Sequence, residues 1–151
     1  MSSFNSILVA VDGSPNSMRA AEMAVDLAKR NGAHLYVLSV ISTPVFAAAG
    51  IKETASSGAA AEEFFDKAKK DAEGIVAGVV SIASAQGLKV RGEIIENVPS
   101  VVEAISDYAE EWKVDLIVVG TRGLSGFKKL LLGSVSSALV SHATCSVLVI
   151  R

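Results

Sequence analysis

Five short apolar runs rich in β-branched residues punctuate this chain, and between them lie stretches whose apolar residues recur at helical spacing. The first run, "SILVAV" (Ser6–Val11), is continuous rather than alternating, which marks a strand buried on both faces. It stops at "DGSPNS", where Ser14 reads as a helix cap and Pro15 as a first-turn residue. Ala20, Ala24, Leu27 and Ala28 then share one helical face, and Gly32 supplies the stop. "AHLYVLSVI" (Ala33–Ile41) predicts a second strand. Phe65, Ala68, Ala72, Ile75, Val79 and Ala83 predict a long helix from Glu62 to Gln86, closed by Gly87. "KVRGEIIE" (Lys89–Glu96) alternates at its start and predicts a weaker third strand. Pro99 opens a helix carrying Val101, Val102, Ile105, Tyr108, Ala109 and Trp112. "VDLIVVG" (Val114–Gly120) is the fourth strand. A last helix runs from about Ser134 to His142, before a last strand "CSVLVI" (Cys145–Ile150). The Ser/Ala/Gly-rich segment Ser42–Ala60 shows no period and reads as a connector rather than a lid.

Alternating strands and helices predict a Rossmann-like α/β fold, a three-layer α/β/α sandwich around a five-stranded parallel sheet. Right-handed crossovers leave few strand orders. The first and fourth strands carry continuous apolar runs, Ile7–Val11 and Leu116–Val119, and belong in the centre. The third carries Lys89, Arg91, Glu93 and Glu96 and belongs at an edge. The order 3-2-1-4-5 meets both demands, whereas the flavodoxin-like order 2-1-3-4-5 buries the charged strand. In 3-2-1-4-5 the winding reverses between strands 1 and 4, and a crevice opens at their C-terminal ends, the usual ligand site of such sheets. "AVDGS" and "VVGTRG" meet there.

The chain of 151 residues has the size of one domain spanning 1–151. Acids and bases are mixed, with a formal charge of −2, and no basic stripe interleaved with aromatics speaks for nucleic acid. Cys145 is the only cysteine, which excludes an internal disulfide and a cysteine metal cluster. His34 and His142 share no ligand spacing. The N-terminal apolar run is short, lacks a basic flank and ends at Asp12, unlike a signal peptide or membrane span. A cytoplasmic protein without a membrane partner is expected.

The chemistry concentrates in "VVGTRGLSGFKKLLLGSVSSAL" (Val118–Leu139), with four glycines in fourteen residues. Gly120 ends strand 4, Gly123 lies in the turn, and Gly133-Ser134 opens the last helix. A helix N-terminus presents unpaired amides and partial positive charge, and phosphate is its natural guest. Glycines let the backbone approach that phosphate. Arg122, Lys128 and Lys129 add charge, and Ser134 and Ser136 offer hydroxyls to phosphate or a divalent cation. The Walker spacing is absent, and no G-x-G-x-x-G follows strand 1, so a nicotinamide site has no support.

The spacing Gly120-x2-Gly123-x9-Gly133-Ser134 resembles the nucleotide-binding signature G-2x-G-9x-G-[S/T] of the universal stress protein family. "ILVAVDGSPNS" is similar to that family's opening and "CSVLVI" to its closing strand, so the resemblance spans essentially the whole chain. It implies the same sheet order, in an adenine nucleotide alpha hydrolase-like fold, and an ATP-binding subgroup with a regulatory or stress-response role. It implies that Ala10, Val11 and Asp12 lie beside the adenosine and that Val40 packs on the adenine. It implies that Gly120, Arg122 and Gly123 approach the ribose and phosphates, and that Gly133, Ser134, Val135 and Ser136 hold the phosphates. The ligand would be ATP, ADP or AMP, with magnesium or manganese as a bridge. The family's frequent dimerisation through the last strand agrees with the edge character of Cys145–Ile150, which is apolar on both faces and uncharged before Arg151.

Two other classes compete with the nucleotide-binding regulator. A slow ATPase or an autophosphorylating phosphotransferase would use the same site, but no general base faces the phosphates. A flavin-binding electron carrier would place its phosphate loop at "DGSPNS", but a flavin wants aromatic walls that the loops lack. Asp12 suits a ribose hydroxyl or a cation, and also suits an ordinary turn before a helix. A phospho-accepting receiver would need further acids beside it. Tyr108 and Trp112 read as packing or surface residues, Cys145 as a small buried hydrophobe, and His142 as a complement to the last helix's C-terminus.

Overall fold

A computed structural model describes residues 3–42, 55–121 and 133–151, with the backbone alone for 55–61. The elements, in chain order, are β1 (Ser6–Ala10), α1 (Pro15–Asn31), β2 (His34–Ser42), α2 (Ala55–Ala85), β3 (Val90–Val98), α3 (Val101–Glu111), β4 (Leu116–Gly120), α4 (Ser134–His142) and β5 (Ser146–Ile150). The strands form one sheet of order β3-β2-β1-β4-β5, and every pairing is parallel. Ile7 pairs with Leu35 on one side and with Leu116 on the other. The order is the one the charge pattern demanded.

Alternate side chains of the central strands divide the core into two layers. Ile7, Val9, Val11, Leu35, Val37, Leu116 and Val118 meet α1 and α2 through residues such as Ala20, Ala24, Ala28, Val76 and Val79. Leu8, Tyr36, Leu38, Ile117 and Val119 meet α3 and α4 through Ile105, Tyr108, Ala109 and Leu139. The alanines let α1 lie close to the sheet. Gly92 does the same for α2 at the edge, since a Cβ there would sit 2.6 Å from Cγ1 of Val76. β3 keeps its charges at the surface: Arg91 pairs with Glu93 at 3.2 Å, and Glu96 with Lys69 at 3.5 Å. Such exposed pairs contribute little to stability.

The long helix corrects one boundary. The connector expected over Ser42–Ala60 gives way to helical backbone at Ala55, seven residues before the expected start at Glu62. Alanine and serine carry too little side chain to print an amphipathic period, while alanine itself favours the helix. Residues 43–54 of that connector lie outside the described residues. Ser100, rather than Pro99, caps α3, accepting from the Glu103 amide at 3.2 Å. Gly32 ends α1 with φ 63°, as its position predicts.

Candidate functional site

At the reversal between β1 and β4 two helix N-termini converge on the C-terminal edge of the sheet, α1 from one layer and α4 from the other. They differ in how their first amides are used.

The first turn closes on itself. The Val11 amide donates to the Leu38 carbonyl at 2.9 Å, which carries the β1–β2 ladder one residue past the strand. The Asp12 amide donates to Ser17 Oγ, and Asp12 Oδ1 accepts from the Ser14 amide at 2.9 Å, a side-chain turn typical of aspartate. Gly13 sits at φ +84°, and a Cβ there would come within 2.7 Å of Cδ1 of Ile75 on α2. Ser14 then caps α1 by accepting from the Ser17 amide, while the Ser17 hydroxyl donates back to the Ser14 carbonyl at 3.1 Å. Pro15 occupies the first helical position and has no amide to satisfy.

The start of α4 is built differently. Gly133 caps α4 in an extended conformation and has no side chain to bond the helix. Its own amide donates to the Thr121 carbonyl, and its carbonyl receives the Ser137 amide at 3.0 Å. Among the described residues, no group accepts from the amides of Ser134, Val135 and Ser136, the donors that a helix start leaves without an intrahelical partner. They carry the positive end of the helix dipole.

The structure sorts the site residues read from the sequence. Ala10 and Val40 are half-buried and belong to the layer that faces α3 and α4. Val135, at the start of α4, and Val101, at the start of α3, join the same layer. Val101 is a residue the sequence marked only as a core position of its helix. Val11 points the other way, into the α1/α2 layer, and is 3% exposed. Only its backbone borders the crevice. Ser134 is exposed, whereas Ser136 is 2% exposed. The Ser136 hydroxyl is directed inward, to the Thr121 carbonyl at 3.3 Å and the Gly133 carbonyl at 3.1 Å. Gly120 has a tertiary reason to be glycine: a Cβ there would lie 2.8 Å from the backbone carbon of Asn16 and 2.9 Å from its carbonyl oxygen. Arg122, Gly123, Lys128 and Lys129 lie outside the described residues.

Several groups at the other end of the sheet hold shifted pKa values. His34, which opens β2, is pushed down by burial and by Lys89 and Arg91. Burial, reinforced by Glu93, pushes Tyr108 up to about 12. Burial also raises the Cys145 thiol, in keeping with a residue packed as a small hydrophobe. Tyr36, Tyr108 and Trp112 pack edge to face or tilted, and Arg91 lies 4.4 Å over the Trp112 ring. These aromatics serve packing. Among the described residues, no group of three or more His, Cys, Asp or Glu could hold a metal ion.

Known proteins resemble this chain along its whole length. A universal stress protein of Methanocaldococcus jannaschii is 32% identical over 148 residues, covering 98% of this chain and 82% of its own. A putative universal stress protein of Staphylococcus saprophyticus subsp. saprophyticus is 34% identical over 152 residues, covering 100% of this chain and 86% of its own. The structure of the universal stress protein UspA from Lactobacillus plantarum superposes with a TM-score of 0.85 at 28% identity, over 100% of both chains. A universal stress protein solved in complex with cAMP superposes at 0.71 with 26% identity, over 99% of both chains. Two further structures share the fold. One, from Archaeoglobus fulgidus, is a complex with dAMP, at TM-score 0.70 and 21% identity over 98% of both chains. The other, from Arabidopsis thaliana, has AMP bound, at TM-score 0.66 and 22% identity over 97% of this chain and 90% of that one. The model of the universal stress protein family matches residues 3–151, and this chain belongs to that family.

Proposed function

We propose that this chain binds an adenine nucleotide in the crevice between β1 and β4 and acts as a nucleotide-dependent regulatory protein of the stress response. The observation that carries the reading is the N-terminus of α4 beside the point where the winding reverses, with a glycine cap and, among the described residues, no acceptor for its first three amides. A phosphate satisfies those amides and meets the helix dipole with its negative charge. The half-buried Ala10 and Val40 supply the apolar surface a base requires, and Asp12 stands within the adjoining turn. The cAMP complex of the 26% identical relative supports the same ligand class.

ATP, ADP and AMP share the adenosine and the first phosphate, and the proposed ligand is ATP or one of these shorter forms. Asp12 is the only acid in the two turns, so a magnesium or manganese ion would be held chiefly by phosphate oxygens and water. Binding without rapid turnover is the proposed mode. A hydrolytic rate above ~1 per second, within the usual enzyme range, would favour the phosphotransferase reading instead. The flavin reading loses its fold-level support, because the sheet order is not the flavodoxin-like one.

The proposed assembly is a homodimer through β5. One edge of β5 pairs with β4, and its other edge has no strand partner among the described residues. Val147, Leu148, Val149 and Ile150 are only partly buried, and a second copy across a two-fold axis would cover them. No helix among the described residues is long and apolar enough to cross a membrane, and a cytoplasmic location is proposed. Calorimetric titration with AMP and ATP tests the binding. Saturable one-to-one binding is expected, together with adenine absorbance at 260 nm in supernatants of denatured protein. A chain that binds neither nucleotide and carries no adenine contradicts the proposal.

A further inference from the structure

Thr121 follows β4 and joins four elements, although it carries no charge. It is 4% exposed. Its amide donates to the Ile150 carbonyl at 2.8 Å, at the end of β5. Its carbonyl accepts from the Gly133 amide and from the Ser136 hydroxyl, at the start of α4. Its hydroxyl oxygen accepts from Nδ2 of Asn16, in the first turn of α1, at 2.6 Å. Directly before it, Gly120 gives way to the Asn16 backbone.

Asn16 is itself oriented. Its Oδ1 accepts from an Arg19 terminal nitrogen, and Arg19 Nε donates to the Arg151 carbonyl at 3.0 Å. A guanidinium only donates. It must therefore face the carboxamide oxygen, which turns the carboxamide NH2 towards Thr121. The chain of contacts runs Arg151, Arg19, Asn16, Thr121, Gly133, and it ends at the cap of the helix whose amides are the proposed phosphate site.

We infer that Asn16 is a positioning residue for that site: held by Arg19, it fixes Thr121, and Thr121 fixes the first turn of α4. Asn16 touches no phosphate in this arrangement. The inference rests on the nucleotide reading, but the joint itself exists with or without ligand. It also gives Gly120 and Ser136 a role. Gly120 admits Asn16 to the joint, and Ser136 locks the joint from the side of α4.

The test uses the whole chain and the variants Asn16→Ala, Thr121→Val, Thr121→Ser and the double variant Asn16→Ala/Thr121→Val, each checked for an intact circular dichroism spectrum. Two quantities are read: hydrogen exchange of the Gly133 amide without ligand, and the AMP dissociation constant. Asn16→Ala and Thr121→Val should each speed Gly133 exchange and weaken AMP by about two- to tenfold, the worth of one hydrogen bond. The double variant should be no worse than either single one, and Thr121→Ser should bind as the parent does. Unchanged Gly133 exchange in both single variants overturns the joint. Faster exchange with unchanged AMP affinity reduces the contact to a structural one and overturns the positioning role. Losses that multiply in the double variant show two independent effects and also overturn it. A parent chain that binds no AMP defeats the nucleotide reading, and it is told apart because Gly133 exchange is read without ligand.

Discussion

Two helices begin at the same crevice, and they begin in opposite ways. α1 brings its own acceptors. Asp12 accepts from the Ser14 amide, Ser14 from the Ser17 amide, and Pro15 removes a donor altogether. Among the described residues α4 has none, since its cap is Gly133 and the side-chain hydroxyl buried in its first turn, that of Ser136, is spent on carbonyls. Both turns contain glycine and serine, and both sit where an α/β sheet binds ligands. What separates them is whether the donors of the helix start are already satisfied. A capped start has little left to offer an anion. An uncapped start is unsatisfied until an anion or water arrives.

Closing the open start should have the largest effect. Gly133 has φ −69° and ψ 164°, a conformation any residue adopts, so Gly133→Asp can install the cap that α4 lacks. The carboxylate would take the amides and repel phosphate. AMP affinity should fall by about a hundredfold, roughly 2.7 kcal/mol, while stability rises by about a few tenths of a kcal/mol. Calorimetry and thermal unfolding read the two changes. Undiminished AMP affinity in this variant would remove α4 from the site.

Gly120→Ala attacks the wall the two turns share. The added methyl meets the Asn16 backbone, which has no flexible end to give way. A loss of about 1–3 kcal/mol in unfolding free energy is expected, with weaker AMP binding as the two helix starts are pushed apart. A variant of parental stability would show that Gly120 has room its geometry denies.

Opening the closed start is the converse change. Ser14→Ala removes the cap of α1 and should cost about 1 kcal/mol of stability, with AMP affinity changed by less than about twofold. A large loss of affinity would mean that the two starts do not divide the work as proposed.

The smallest effect at neutral pH is expected away from the crevice. Tyr108 is 2% exposed, and its buried hydroxyl makes no well-aligned hydrogen bond among the described residues. Tyr108→Phe should change stability at pH 7 by less than about 0.5 kcal/mol. The difference appears in alkali. The folded chain holds the phenol proton up to about 12, while the unfolded chain releases it near 10. Between these values the unfolded state binds fewer protons, so the stability of the parent falls as pH rises. Denaturant titrations at pH 9 and 11 should show a decline in the parent that is smaller in Tyr108→Phe. Equal declines would assign the alkaline loss to other groups.

The sequence makes the contrast between the two helix starts only half visible. Ser14 and Pro15 announce a capped start through local chemistry that needs no tertiary partner. The charges of Lys89, Arg91, Glu93 and Glu96 likewise place β3 at an edge, and with it the sheet order and the crevice. Other features depend on neighbours far along the chain. Gly120 reads as a glycine kept bare for a ligand until Asn16 is seen against it, 104 positions earlier in the numbering. The sequence offers the Ser136 hydroxyl to phosphate or a cation, and the fold bonds that hydroxyl inward; the family resemblance puts Val11 beside the adenosine, and the fold sends its side chain into the opposite layer and leaves its backbone at the crevice. The start of α2 escapes periodicity because Ala55–Ala61 is a run of small residues. Glycine and serine announce a turn, but they do not say which of their atoms the fold has already used.

The most direct measurement follows the backbone amides of both helix starts by NMR while AMP is added to the isotope-labelled chain. A phosphate seated on α4 gives saturable shifts of the Ser134, Val135 and Ser136 amides, with the Asn16 and Ser17 amides of α1 moving far less. Shifts centred on α1, or none at α4 while AMP binds elsewhere, would contradict that seating.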